Sequence, residues 1–309
     1  MGYTIVFKNV LIMLFYLFCG WGLVKADKSE SNHARSFSGL LIYVCGPAMV
    51  LNAFQGMAYS AENNRRLLLF FLMSLAVQLL FFLLLWVLLR KKYADAKYRI
   101  LSAGAVLGNV GFFGLPLVRA LFPMEEIVAC YSMMYITSMN LLIFTLGAYL
   151  ITQNKKFISL RSAILNPTTL TMLVALPLYY FQIHFPPTMG SIVSLLGTMT
   201  TPLCMVVLGM RLASMRFMEL FNRPFAYAAC GLKLVVFPLF AYLVACVCPG
   251  LDETFRICLM VLSATPSASV ILSMAELHRC ERELSANVVL LTTLLCVVTL
   301  PVLMWIVQR

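Results

Sequence analysis

Ten apolar runs separated by short connections constrain this chain more than anything else in its sequence. They extend from Thr4 to Val24, Phe37 to Met57, Arg66 to Leu89, Arg99 to Leu121, Glu125 to Ile151, Asn166 to Gln182, Pro187 to Ala213, Arg223 to Cys248, Thr254 to Ala275 and Leu284 to Val307. A helix needs about 20 residues to cross a hydrocarbon core of about 30 Å, so each run predicts one transmembrane helix. Only 11% of the 309 residues are charged, against about 25% in soluble domains. A soluble enzyme and a nucleic-acid-binding domain are thereby excluded, and the connections leave no room for a sizeable soluble domain. The ten cysteines lie among apolar stretches without a CxxC pair. They read as small packing residues, so no disulfide framework, metal site or cofactor is expected. The first run has a weak basic start at Lys8 and bulky Leu17 and Phe18 ahead of Cys19. It is expected to stay as a first helix and not to be cleaved as a signal peptide.

The formal net charge of +11 is first a statement about topology, because cytoplasmic loops retain Lys and Arg. Connections after the odd-numbered helices hold sixteen: Lys25, Lys28, Arg35, Arg90, Lys91, Lys92, Lys97, Arg99, Lys155, Lys156, Arg161, Arg211, Arg216, Arg223, Arg279 and Arg282. The other face has six: Lys8, Arg65, Arg66, Arg119, Arg256 and Arg309. Both termini are therefore expected on the non-cytoplasmic side of the cell membrane. Binding of a polyanion is the weaker explanation of the same charge.

The two halves share their punctuation. Gly46-Pro47 in the second helix is matched by Thr201-Pro202 in the seventh, and Gly114-Leu115-Pro116 in the fourth by Ala264-Thr265-Pro266 in the ninth. Five helices is an odd number, so a second copy of the unit enters from the opposite face. The expected fold is an all-α integral membrane protein of ten helices in two inverted repeats. Residues 1–152 form the first, 153–165 a short cytoplasmic linker and 166–309 the second. Gly/Pro-interrupted segments at matching places in such halves point to a transporter's binding site. At Gly111-Phe112-Phe113-Gly114-Leu115-Pro116 two glycines weaken the helix and Pro116 lacks its NH. Thr265-Pro266-Ser267-Ala268-Ser269 interrupts the ninth helix in the same way. Each break creates a half-helix N-terminus that favours an anion, near Gly114 and Pro116 in one half and Pro266, Ser267 and Ser269 in the other. Two packing kinks without a ligand are the bland alternative.

All twelve acidic residues fall in loops or at helix ends, among them Glu62, Glu219, Asp252 and Glu276. A transporter run by a buried carboxylate pair, or a cation held by acidic side chains, is therefore disfavoured. Lys233 lies ten residues past Arg223, about 15 Å along a helix and so near the bilayer centre. It could attract an anion, carry a proton, or cap the carbonyls of a broken helix. Asn109 and Asn140 are the best candidates to hydrogen-bond a ligand, with interhelical packing as the alternative. Gln78, Asn52 and Gln55 are further polar markers, and Gln78 occupies roughly the place in its half that Lys233 holds in the other.

These motifs resemble the auxin efflux carrier family of membrane transporters, bacterial branch, nearly end to end. Asn109-Val110-Gly111-Phe112-Phe113-Gly114-Leu115-Pro116 is similar to the family's Asn-x-Gly-Phe-x-Gly-x-Pro signature. Thr201 to Gly209, Lys233 to Pro238, Thr265 to Ser269 and Ala286 to Pro301 support it. The resemblance implies that the broken fourth and ninth helices cross near the bilayer centre, and that small organic anions such as carboxylates move by an elevator-like motion. Helices three to five and eight to ten would then move against one, two, six and seven, in a homodimer. Val270 stands where many relatives carry Asn, and the long cytoplasmic loop of plant carriers is absent, so auxin export is not expected.

The function expected from the sequence is secondary active transport of small carboxylates, with no enzymatic activity and no nucleic-acid partner. The partners are the carboxylate and the lipid bilayer. Asn109, Gly114, Pro116, Asn140, Lys233, Pro266, Ser267 and Ser269 would bind the substrate. A sodium-coupled carrier of another solute and a ligand sensor that does not transport are the rivals. An intramembrane enzyme lacks its parts, since His33, His184 and His278 fall in loops and no embedded acid accompanies them.

Overall fold

A computed structural model describes residues 2–30, 33–213 and 224–308 of the chain. Arg216, Glu219, Arg223 and Arg309 lie outside the described residues. Among those described, eight helices are long and apolar enough to cross a membrane. They are α1 (Gly2–Lys25), α2 (Ala34–Gln55), α3 (Ala61–Lys92), α6 (Ile127–Thr152), α7 (Lys155–Tyr180), α8 (Pro187–Ala213), α9 (Pro224–Val247) and α12 (Arg282–Val307). Two further stretches are each split in two: α4 (Ala96–Val106) with α5 (Val110–Leu121), and α10 (Glu253–Ser263) with α11 (Ser269–Leu277). Large apolar side chains such as Phe15, Tyr43, Leu88 and Val247 stand exposed on outer faces. Water would not tolerate that much apolar surface, whereas lipid requires it. The protein is a multi-pass membrane protein.

Helix starts follow the expected chemistry. The Asn166 side chain accepts from the Thr168 amide at 3.1 Å, and Asp252 from the Phe255 amide at 2.7 Å. Ser60 and Asp95 cap α3 and α4 in the same way, each supplying an acceptor to an amide the helix leaves unpaired. Membrane prolines act more gently than expected. Pro47, Pro116 and Pro238 each follow a widened five-residue turn, Leu41–Cys45, Val110–Gly114 and Leu232–Val236, that contains the residue four before the proline. Widening moves that carbonyl away from the ring, so the helix continues past the proline.

Helix α6 is buried along most of its length and packs against α3, α2 and α10. On the other side α1 lies directly on α8. A methyl group on Gly209 would collide with the Leu17 carbonyl and lie 2.8 Å from the Trp21 amide, and one on Gly20 would strike the Val206 carbonyl. Small residues let backbones approach this closely, and such contact drives helix association in lipid. Gly209→Ala is expected to destabilise the protein by about 1–3 kcal/mol, because backbone and not a flexible side chain must give way. Gly22→Ala on the same helix α1 meets nothing within 4 Å and should leave the melting midpoint in detergent unchanged. Equal midpoints for the two variants would show that the α1–α8 contact is not close.

A candidate anion site where two broken helices cross

The two interruptions meet. Helix α4 ends at Val106, and Leu107 turns into extended backbone. Residues 107–109 lie antiparallel to residues 266–268, with a single bridge between Gly108 and Ser267. The Asn109 amide donates to the Pro266 carbonyl at 2.7 Å and the Ala268 amide to the Leu107 carbonyl at 3.0 Å. Backbone exposed by breaking two helices is thus satisfied by the opposite break, as a low-dielectric interior demands. The first break falls upstream of the expected place. The Gly111 to Pro116 stretch lies beyond it, within α5, where the widened turn Val110–Gly114 accommodates Pro116.

Four helix ends converge at this crossing. Helices α4 and α10 present their C-terminal carbonyls, and Lys233 joins them. Its Nζ donates to the Val106 carbonyl at 3.0 Å and to the Ser263 carbonyl at 3.0 Å, and lies 4.9 Å from the centre of the Phe237 ring. The side chain is fully buried. Of the three roles open to it, the contacts are those of the cap: one amino group donates to the carbonyl ends of two helices. Helices α5 and α11 present their N-termini. The amides of Val110, Gly111 and Phe112, and those of Ser269 and Val270, have no acceptor among the described residues. Neither Asn109 nor Ala268 caps its helix with a side chain. The crossing therefore carries unneutralised partial positive charge on one pair of ends only.

The surroundings hold the crossing rigid. Ser267 Oγ donates to the Gly104 carbonyl at 2.7 Å, and the Ser267 amide donates to Thr292 Oγ1 at 3.0 Å. Thr265 Oγ1 donates to the Leu262 carbonyl at 2.8 Å, and Tyr135 shares a hydrogen bond of 3.1 Å with Ser263. Gly104, Gly108 and Gly114 let the segments touch, since a methyl group on Gly114 would sit 2.8 Å from Leu262 and 2.9 Å from Thr265.

The expected residues divide accordingly. Gly114, Lys233, Pro266 and Ser267 are at the crossing, but in structural contacts. Asn109 is mostly buried, with its Nδ2 3.8 Å from Cys204 Sγ on α8, a weak acceptor that leaves the amide available. Ser269 opens α11, and Pro116 lies in the first turns of α5. Asn140 is committed elsewhere, its Nδ2 donating to Thr168 and Thr169 of α7 at 3.1 and 3.2 Å. Gln78 is likewise tied to Ser74 and Ser138, and Gln55 to residues 183 and 185. No described acidic side chain is buried. Thr292, Tyr135 and Cys204 do not stand out in the sequence as site residues, because isolated hydroxyls and thiols in apolar helices carry no signal without their partners.

A family model described as membrane transport protein matches residues 5–158 and again residues 151–304. The chain belongs to this family. It is the auxin efflux carrier family whose signature the first half resembles, and membership makes the protein a membrane transporter. One break of this transporter falls in each matched segment, residues 107–109 in the first and 264–268 in the second. No curated protein matches the chain.

Proposed function

We propose that the protein is a secondary transporter of small organic anions across the cell membrane, and that it binds a carboxylate at the amide ends of α5 and α11. The observation that carries this reading is the asymmetry of the crossing. The carbonyl ends are capped by Lys233 at 3.0 Å on both sides, whereas the amide ends are open and half-buried. An anion is the ligand such ends favour. A cation would have to displace the Lys233 Nζ from the carbonyls it already occupies, which speaks against sodium at this point. Asn109 orients the carboxylate, and the α3–α6 and α9–α12 helices move as a body against α1, α2, α7 and α8. Both termini face away from the cytoplasm, the halves are inverted repeats, and two copies assemble in the membrane.

Asn109→Ala is expected to lower carboxylate uptake into liposomes at least tenfold, the loss of one hydrogen bond to a charged group. Its melting midpoint should stay near the wild-type value, because the bond broken in the empty protein runs only to a thiol. Uptake of acetate, benzoate and succinate at wild-type rates by this variant would show that the carboxylate binds elsewhere.

A further inference from the structure

A cavity of about 330 Å³ opens between α1, α2, α5 and α8, and Leu115 and Pro116 of the first broken pair form part of its wall. One turn beyond Pro116, Arg119 faces into it. This guanidinium is half-buried and has neither an ion pair nor a hydrogen bond among the described residues. Tyr16 and Asn52 also line the cavity with polar groups that have no partner among the described residues, while the Asn9 Nδ2 donates to the Ile5 carbonyl at 2.9 Å. No Asp or Glu lines the cavity. Several donors and a full positive charge therefore converge on one space without an acceptor of opposite sign. A desolvated cation is costly unless paired, and a guanidinium fork matches a carboxylate in shape.

We propose that this cavity is an anion-capture site, in which Arg119 forms a bidentate pair with the carboxylate of an incoming solute before it reaches the crossing. Asn52 and Tyr16 supply further donors. The proposal rests on the reading of the protein as a carboxylate transporter, but it assigns a different residue and a different step. The chain approaches the crossing along α5, so a solute held by Arg119 is already beside the helix whose amide end receives it.

The test uses the full chain in a neutral detergent, with acetate, benzoate and succinate titrated by thermal shift, and uptake of the same compounds into phosphatidylcholine liposomes. Arg119→Gln is expected to raise the apparent Kd and the KM about 10- to 100-fold, the weight of one charge-assisted contact, and to leave the maximal rate nearly unchanged. Arg119→Lys should recover part of the loss, since it keeps the charge and loses the fork. If Arg119→Gln matches wild type while Asn109→Ala loses binding, the capture site is wrong and the crossing stands. If none of the three anions binds wild type, the carboxylate reading fails and the capture site with it. A shift that depends on Arg119 only with added phosphatidylglycerol would assign the cavity to a lipid headgroup and overturn the proposal.

Discussion

Lys233→Met abolishes uptake and lowers the melting midpoint by more than any other polar-to-apolar change at the crossing: this is the expected result of removing the cap. Methionine is close in length and would fill the same fully buried space, so cavity formation contributes little. What is lost is the donor to both Val106 and Ser263. Each carbonyl left without a partner in an apolar interior costs about 1–3 kcal/mol. The partial negative ends of α4 and α10 would then face each other with nothing between them. Two such carbonyls together put the loss at about 2–6 kcal/mol. Lys233→Arg is not expected to restore it, because a methyl group on neighbouring Gly108 would already come within 2.9 Å of Nζ and a planar guanidinium needs more room. The melting midpoint of the ligand-free protein decides the role. Were Lys233 present only to neutralise bound substrate, its removal would cost uptake while leaving the empty protein as stable as wild type.

The sequence conveyed the architecture through physics that acts locally, and lost the site where long-range pairing takes over. Apolar length gave the spans, and Asn166 and Asp252 announced helix starts because a cap is a contact across two or three residues. Glycine and proline announce both interruptions, yet they point to Gly111 to Pro116 for the first. It lies at 107–109, because the break forms where residues 266–268 offer backbone partners, a condition that no local propensity contains. Asn140 meets the same limit. A polar residue at membrane depth announces that it needs a partner, and its Nδ2 finds Thr168 and Thr169 on a neighbouring helix, contacts that no local pattern contains. The cost of burying Lys233 marks it as functional, with capping among its alternatives, and the two 3.0 Å contacts that fit a cap come from residues 127 and 30 positions away. Arg119 reads as a loop charge because it stands near the end of an apolar run; its membership in a cavity depends on α1, α2 and α8.

Gly108→Ala is expected to reduce uptake at least 100-fold, although it adds a single methyl group. The φ angle at Gly108 lies outside the left-handed region, so alanine suits the backbone and the penalty is one of space alone. Its Cβ would collide with Thr265 Oγ1 and lie 2.9 Å from Lys233 Nζ. Neither atom can swing away, since Thr265 Oγ1 is bonded to the Leu262 carbonyl at 2.8 Å and Nζ to two carbonyls. The antiparallel segments must therefore separate, which stretches the bonds from Asn109 to Pro266 and from Ala268 to Leu107. These bonds fix where the amide ends of α5 and α11 point, so a displacement of a few tenths of an ångström acts on the anion site directly. Gly111→Ala, three residues away, is the contrast. Its Cβ would meet the flexible ends of Ile136 and Met49 at 3.0 and 3.1 Å, which can rotate, and a loss of less than tenfold is expected. Thr265→Ala removes the obstructing oxygen, so the pair Gly108→Ala with Thr265→Ala should transport better than Gly108→Ala alone. The coupling between two residues in contact makes that rescue measurable. Strictly additive effects on uptake would mean that the Gly108 methyl does its damage somewhere other than against Thr265.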